Sequence, residues 1–367
     1  MKLLIFIVLL CYIILILRYR FGWDNIKKYR RTIFTPNVTV VISMRNEENK
    51  IEKLLKSLQS QIYPTDKLEF ILVNDHSTDN TLSILKQLQF DNLKIIDLAD
   101  AEYGKKNAIK KAVSIADSEI ILASDADCIF NPYWVQVMVR YFKDERVKLV
   151  SGPVTYHQQQ GFFQNIQTLE FISLISSGAG AIGIRNAIFC NGANMAYRKD
   201  VFMELNNFSL DNIASGDDVF LLHSVKAKYP DSITFAKDER AIVSTDAELT
   251  FSGFINQRKR WASKSTSYKD IASIYTSYIV LFVNFSMVSL FFMCFLNPQL
   301  INLLLSFYLI KFGTDIILLY PTLKFFKRHD LIKWIFPFEF FYSFYIVLIA
   351  LLSVTNKFEW KGRMHSK

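Results

Sequence analysis

The stretch Glu119-Ile120-Ile121-Leu122-Ala123-Ser124-Asp125-Ala126-Asp127 decides the fold. Its first five residues read as a buried strand, and two carboxylates stand two residues apart where that strand ends. Ligands in open α/β sheets bind beyond the carboxyl ends of the strands. Acidic groups gathered there make poor packing and good material for metal, nucleotide or acid/base chemistry. An isolated Asp-x-Asp is usually a solvated turn. Behind a buried strand, the pair can share a divalent cation with the oxygens of a diphosphate.

Working outward, the same grammar recurs. Thr39-Val40-Val41-Ile42-Ser43 is a strand, and Ile51, Leu54, Leu55 and Leu58 then repeat at helical spacing. Leu68-Glu69-Phe70-Ile71-Leu72-Val73 is a second strand, followed by a helix marked by Leu82, Leu85 and Leu88. Lys94-Ile95-Ile96-Asp97-Leu98 is a third strand, and Ala108, Ala112 and Ile115 mark a third helix. Strands alternating with helices predict an α/β domain with a mostly parallel twisted sheet covered on both faces. The chain has no Gly-rich phosphate loop of either common kind, so a nucleotide must be held by other means.

The ends of the chain are of another nature. Hydrophobic residues make up 51% of the 367, with 32 Phe, and the excess lies at the two ends. Leu3 to Leu17 is uninterrupted and apolar. Arg18, Arg20, Trp23, Lys27, Lys28, Arg30 and Arg31 follow it, with no small-residue cleavage site. This predicts a membrane anchor with its N-terminus outside. From Ile271 through Ile310 no residue is charged, which is room for two spans around Asn297-Pro298. The second span continues to about Tyr320 and carries Lys311 and Asp315, which can neutralise each other on one helical face. A last span covers about Trp334 to Val354, with Glu339 in or near it. Four spans leave both ends outside, whereas Lys357, Lys361, Arg363 and Lys367 favour the inside, so the stretch around Pro337 is the candidate for a re-entrant segment.

The expected organisation is an anchor over 1–20, a cytoplasmic domain over 36–265, about three spans over 271–355 and a basic tail over 356–367. The net charge of +9 fits anionic head groups or a phosphate-rich substrate more readily than nucleic acid. Cys11, Cys128, Cys190 and Cys294 have neither metal-ligand nor disulfide-framework spacing, which suits a reduced, cytoplasm-facing domain.

Further groups cluster near the strand ends. In Asp75-His76-Ser77-Thr78-Asp79, Ser77 or Thr78 suits a helix cap with Asp79 near the helix N-terminus. Asp75 suits hydrogen bonds from a nucleobase or ribose. Glu47 and Glu48 suit a helix start, and Asn46 and Glu47 could equally reach a nucleotide. Lys105, after Gly104, is either solvated or turned toward a diphosphate. In Asp217-Asp218 one carboxylate could cap a helix and the other act as a general base. Gln257-Arg258-Lys259-Arg260-Trp261 could bind lipid phosphates or line an active-site mouth. There the Arg fork would meet diphosphate oxygens and the Trp face a sugar ring.

Together these motifs resemble the inverting glycosyltransferases of family 2. The resemblance rests on Ser43 to Glu48, Asn74 to Asp79, Asp125-Ala126-Asp127, Asn191-Gly192-Ala193-Asn194, Gly216-Asp217-Asp218 and Gln257 to Trp261. The last motif is characteristic of the membrane-integrated branch with cellulose, hyaluronan and poly-N-acetylglucosamine synthases and ceramide glucosyltransferases. Trp360-Lys361-Gly362-Arg363 is faintly similar to that branch. The resemblance implies a GT-A type nucleotide-sugar-binding domain and a UDP-sugar donor. Its donor contacts would come from Asn46, Glu47, Asp75, Lys105, Asp125, Gln257 and Arg260. Mg2+ or Mn2+ would sit on Asp125 and Asp127, and Asp218 would be the catalytic base. Asn191, Asn194, Asp217 and Trp261 would meet the acceptor. Many relatives carry Glu-Asp where this chain has Asp217-Asp218, so the base is kept beside a shorter neighbour.

The implied setting is the plasma (inner) membrane of the cell envelope, with membrane lipids around the protein and a lipid, lipid-linked or polysaccharide acceptor. A processive synthase working with a membrane partner subunit is the alternative within the class. A silent membrane scaffold or transport subunit, and a nucleotidyltransferase, are alternatives outside it. Intact carboxylates in every cluster and the intact Gln-x-x-Arg-Trp box speak against the scaffold.

Overall fold

A computed structural model describes residues 2–28, 33–88, 90–158, 161–205, 217–265, 267–353, 357–360 and 363–366. Arg30, Arg31, Ser215, Gly216, Lys361, Gly362 and Lys367 lie outside them. The chain opens with helix α1 (Lys2–Asn25) and then alternates β1 (Val38–Met44), α2 (Ile51–Gln59), β2 (Leu68–Asn74), α3 (Thr81–Lys86), β3 (Leu93–Asp97), α4 (Lys105–Ile115) and β4 (Ile120–Asp125). These are the strands expected from the apolar runs, each shifted by a residue or two. The helix periodicities hold, with one exception: α4 buries Val113, while Ile115 is exposed. Helix α3 starts at Thr81, later than a Ser77 or Thr78 cap requires. Its first-turn N–H of Thr81 is accepted by Asp79 Oδ1 at 3.0 Å, while Ser77 Oγ accepts from Asn46 N.

After α5 (Trp134–Val139) come β5 (Leu149–Ser151), β6 (Val154–Tyr156), α6 (Phe162–Gly183), β7 (Met195–Arg198), α7 (Lys199–Leu205), α8 (Asp217–Lys228), β8 (Ile233–Phe235), β9 (Val243–Thr245) and α9 (Phe251–Ser265). The main sheet has the order β3-β2-β1-β4-β7-β5-β8, parallel except for β7 against β4 and β5. A small parallel pair, β6 and β9, stands beside it. Register places the site. Ser43 pairs with Asp125 and Met44 with Asn74, so three central strands end on one line and their loops share one edge.

Three long helices follow, α10 (Ile271–Leu296), α11 (Ile301–Phe325) and α12 (Ile332–Ser353), then a terminal hairpin of β10 (Lys357–Trp360) and β11 (Arg363–Ser366). Helix α1 and these three are each long and apolar enough to cross a membrane. Helix α12 runs through Pro337 without a break. The first helix also extends through Trp23, past the anchor limit read from sequence.

Helix α6 carries no span signal of its own and packs along α1. The contact needs glycine. A Cβ on Gly180 would lie 2.4 Å from the Tyr19 carbonyl oxygen, and one on Gly183 would lie 2.0 Å from that of Gly22. Bare backbones let the two helices meet at this depth. Helix α1 is thereby fastened to the α/β domain as well as to α10 and α11.

Candidate active site

The shared edge opens into a cavity of about 600 Å³. It is lined by the β1, β2 and β4 loops, the start of α8 and one face of α9. Positive φ bends the β1 and β2 loops, at Asn46 (55°) and His76 (53°). They are stitched together across the gap. Thr78 N donates to Asn46 Oδ1 at 2.8 Å, and Arg45 donates to the carbonyls of Asp75 and His76 at 3.0 and 2.9 Å. Asn46 is thus engaged in holding the loops and does not line the cavity, whereas Arg45, Glu47 and Asp75 do.

Asp75 is buried, and its Oδ1 accepts from Gly104 N at 3.0 Å. Gly104 has φ +92°, a conformation that a side chain resists, and that turn aims its N–H at Asp75. It also starts α4 with Lys105 facing inward, where its ammonium pairs with Asp125. Burial works against this ammonium, but Asp125, Asp218 and Asp217 outweigh it and hold its pKa above the ordinary lysine range.

Asp125 and Asp127 both face the cavity. Burial and the Asp125 charge push the Asp127 carboxyl up. Lys50 Nζ lies 3.9 Å from Asp127, 3.6 Å from Glu47 and 3.6 Å from Asp246. Crowded, half-buried carboxylates of this kind fit a hard divalent cation. Among the described residues no three His, Cys, Asp or Glu side chains converge into a complete metal cage. Asp125 and Asp127 are the residues that could hold such a cation.

Asp218 stands across the cavity in the first turn of α8. Its Oδ2 accepts from Gly192 N and its Oδ1 from Val219 N, both at 2.9 Å. Two backbone donors therefore fix the orientation of the carboxylate. Asn191 and Asp217 line the same wall, and burial raises the Asp217 carboxyl while Lys105 opposes the shift. Asn194 is placed otherwise. It is fully buried, donates to the carbonyls of Pro153 and Ala241 at 2.8 Å each, and accepts from Trp134 Nε1 at 2.9 Å. It holds the wall together and does not line the cavity.

Helix α9 closes the mouth with Gln257, Arg260 and Trp261. Lys264, one turn beyond Arg260, joins them on the same face, and the i, i+4 spacing was the available signal for it. Burial pulls Arg260 and Lys264 down from their usual pKa values, and the cavity carboxylates pull them back. Added diphosphate charge would favour both cations further. Lys50, Asp246 and Glu248 are other lining residues without a sequence motif to announce them. Arg258 points the opposite way. Its Nε donates to Glu170 Oε1 and Oε2 at 3.1 and 3.0 Å, and its guanidinium lies 4.3 Å from the Trp261 ring. Tyr345 of α12 donates to the same Glu170 at 3.2 Å. The box thus has two faces, one toward the cavity and one locking α9 to α6 and the membrane helix. Arg258→Lys keeps the charge and loses the fork, which should cost roughly 1.5–3 kcal/mol of stability. Thermal unfolding in detergent reads this, and an unchanged midpoint would rule out a working Arg258–Glu170 lock.

One cavity therefore joins the Asp75 and Asp125/Asp127 clusters at the sheet edge to Asp217 and Asp218 at the start of α8. Residues 39–205 match the model of glycosyl transferase family 2. Asp217, Asp218 and the Gln257 to Trp261 box lie beyond the matched stretch. The chain is 30% identical over 213 residues to the glycosyltransferase AglE of Haloferax volcanii, covering 55% of this chain and 65% of that one. It is 26% identical over 236 residues to the poly-beta-1,6-N-acetyl-D-glucosamine synthase of Staphylococcus epidermidis, covering 61% and 53%. The chain therefore spans between half and two thirds of these relatives. A mannosyltransferase structure from Pyrobaculum calidifontis, in complex with GDP-Man and Mn2+, superposes with a TM-score of 0.60 at 17% identity. It covers 96% of this chain and 98% of that one, so the shared fold includes the membrane helices.

Proposed function

We propose that the chain is an integral membrane glycosyltransferase that moves a sugar from a nucleoside diphosphate sugar, a UDP-sugar in the leading reading, to a hydroxyl of a lipid, lipid-linked or polysaccharide acceptor, with inversion. Residues 36–265 would be the catalytic domain on the cytoplasmic face of the plasma membrane, between the anchor and the C-terminal spans. The observation that carries this reading is one cavity that joins Asp75, the Asp125/Asp127 pair, Asp218 and the Arg260/Trp261 mouth.

The roles follow from position. Asp75 takes the base or ribose, and Lys105, Arg260 and Lys264 face the diphosphate. Trp261 offers its ring to a sugar. Asp218 accepts the proton of the acceptor hydroxyl as that oxygen bonds to the anomeric carbon. The bond from that carbon to the diphosphate oxygen breaks with its electron pair leaving on the diphosphate. A divalent cation on Asp125 and Asp127 would offset the charge that develops on the leaving group.

The deciding assay measures nucleoside diphosphate release by detergent-purified full chain, across UDP- and GDP-sugars with Mg2+ or Mn2+ and added membrane lipids. Metal-dependent release from one donor is expected; silence with all of them removes the reading. Asp127→Asn should raise the metal concentration for half-maximal rate at least about 10–100-fold, the range lost when even an outer partner of a metal ligand is removed. An unchanged metal requirement would take Asp127 out of the site.

A further inference from the structure

A second cavity, of about 830 Å³, lies where α1, α8 and the start of α10 converge. Helix α8 is the wall between the two cavities. Asp217, Asp218 and Leu221 face the first, while Phe220, His223 and Ala227 face the second. Its position follows from the chain path. The last turns of α1 and the first turns of α10 both leave the membrane toward the catalytic domain, so the cavity sits at that boundary.

Its lining is divided by chemistry. Leu15, Ile271, Ala272 and Tyr275 form an apolar wall continuous with the outer surfaces of two spans, and Ile271 and Tyr275 are 82% and 51% exposed. Among the described residues the other wall carries Arg18, Lys226 and Lys269 against a single carboxylate, Asp270. That carboxylate is already engaged. Lys226 pairs with it at 2.6 Å, and it caps α10 by accepting from Ser273 N at 2.8 Å. Burial lowers the His223 pKa against the opposing pull of Asp270, which favours the neutral ring. Among the described residues two exposed cations, Arg18 and Lys269, are left over in a cavity with a greasy flank at a membrane boundary.

We propose that this second cavity binds a phosphate carried on a hydrocarbon chain, with Arg18 and Lys269 as its cations and the flank of α1 and α10 as the seat of the chain. The inference rests on α1 and α10 being membrane spans and is independent of sugar transfer. Two sources offer this chemistry: an anionic phospholipid of the surrounding leaflet, or a long-chain alkyl phosphate of the kind that carries sugars. Either would press on α8 from behind Asp218.

The test is lipid retention by the full chain, without donor or metal, read by native mass spectrometry after exchange into phosphatidylcholine, phosphatidylglycerol or farnesyl phosphate. Wild type should retain one phosphatidylglycerol or one farnesyl phosphate per chain in preference to phosphatidylcholine, and the retained species names the source. The double variant Arg18→Gln/Lys269→Gln should weaken retention roughly 30-fold, since each juxtamembrane cation contributes on the order of a five- to sixfold factor. Arg18→Lys/Lys269→Arg should retain the lipid, which separates charge from folding. Lys27→Gln/Lys28→Gln, outside the cavity, should retain it too. No preference in wild type, undiminished retention in the Gln pair, or equal loss in the Lys27/Lys28 control would each overturn the proposal.

Discussion

Asp218→Asn should lower kcat by about 10²–10⁴, the range that a positioned general base supplies, and leave the KM for the donor within a few-fold. The amide is nearly the same shape, and its single oxygen can keep the bond from Gly192 N, which anchors the α8 turn, while the local bond from Val219 N is given up. What it loses is a lone pair able to take a proton. The groups proposed for the donor, Asp75, Lys105 and the Asp125/Asp127 pair, lie on other elements, and Lys105 keeps its pairing with Asp125 when the Asp218 charge is removed. The separation of kcat from KM is the diagnostic readout. A fall in donor affinity of the same size would mean that the substitution had collapsed the cavity. A variant as fast as wild type would move the base elsewhere, with Asp217 the next carboxylate on the same wall. Donor affinity measured with the nucleoside diphosphate alone distinguishes these outcomes.

Part of this site is legible in the sequence because it stands at the ends of long apolar strands, whereas Asp217, Asp218 and the Gln257 to Trp261 box, on α8 and α9, are legible only as motifs. Asp75 and Asp125 follow runs buried on both faces, and such runs are visible without any knowledge of their neighbours. Strands β5, β6, β8 and β9 are three residues each, too short to carry a period, and exist through tertiary pairing, β5 between β7 and β8 and β6 beside β9. Thr245, Asp246 and Glu248 enter the cavity through that pairing, which is why no motif foretold them. Asn194 illustrates the opposite error. Its place in an Asn-Gly-Ala-Asn motif suggests a ligand contact, whereas three buried hydrogen bonds consume its amide. Arg258 is similar, since the sequence cannot tell which residues of a basic helix face the cavity and which face Glu170 on a helix 88 positions away.

Lys311→Met should be among the most destabilising single changes in the membrane domain, costing about 3–5 kcal/mol, the usual result of breaking a buried pair by removing one partner. Lys311 is completely buried. Its ammonium lies 2.9 Å from Asp315 and also pairs with Glu339 of α12. Tyr12 of α1 donates to Asp315 at 2.6 Å. One cation thus holds two carboxylates and ties three spans together. The sequence shows only the Lys311/Asp315 half, because four residues on one helix are adjacent by construction, while Glu339 lies 28 residues away. Two carboxylates without their ammonium must each be desolvated or protonated inside the bundle. The triple variant Lys311→Met/Asp315→Leu/Glu339→Met removes every charge and should recover most of the loss, since replacing a whole buried ion cluster by well-packed apolar residues of similar volume is often close to neutral. Thermal unfolding in detergent compares the two directly. Equal losses in the single and triple variants would show that packing by the lysine stem, not its charge, joins α1, α11 and α12.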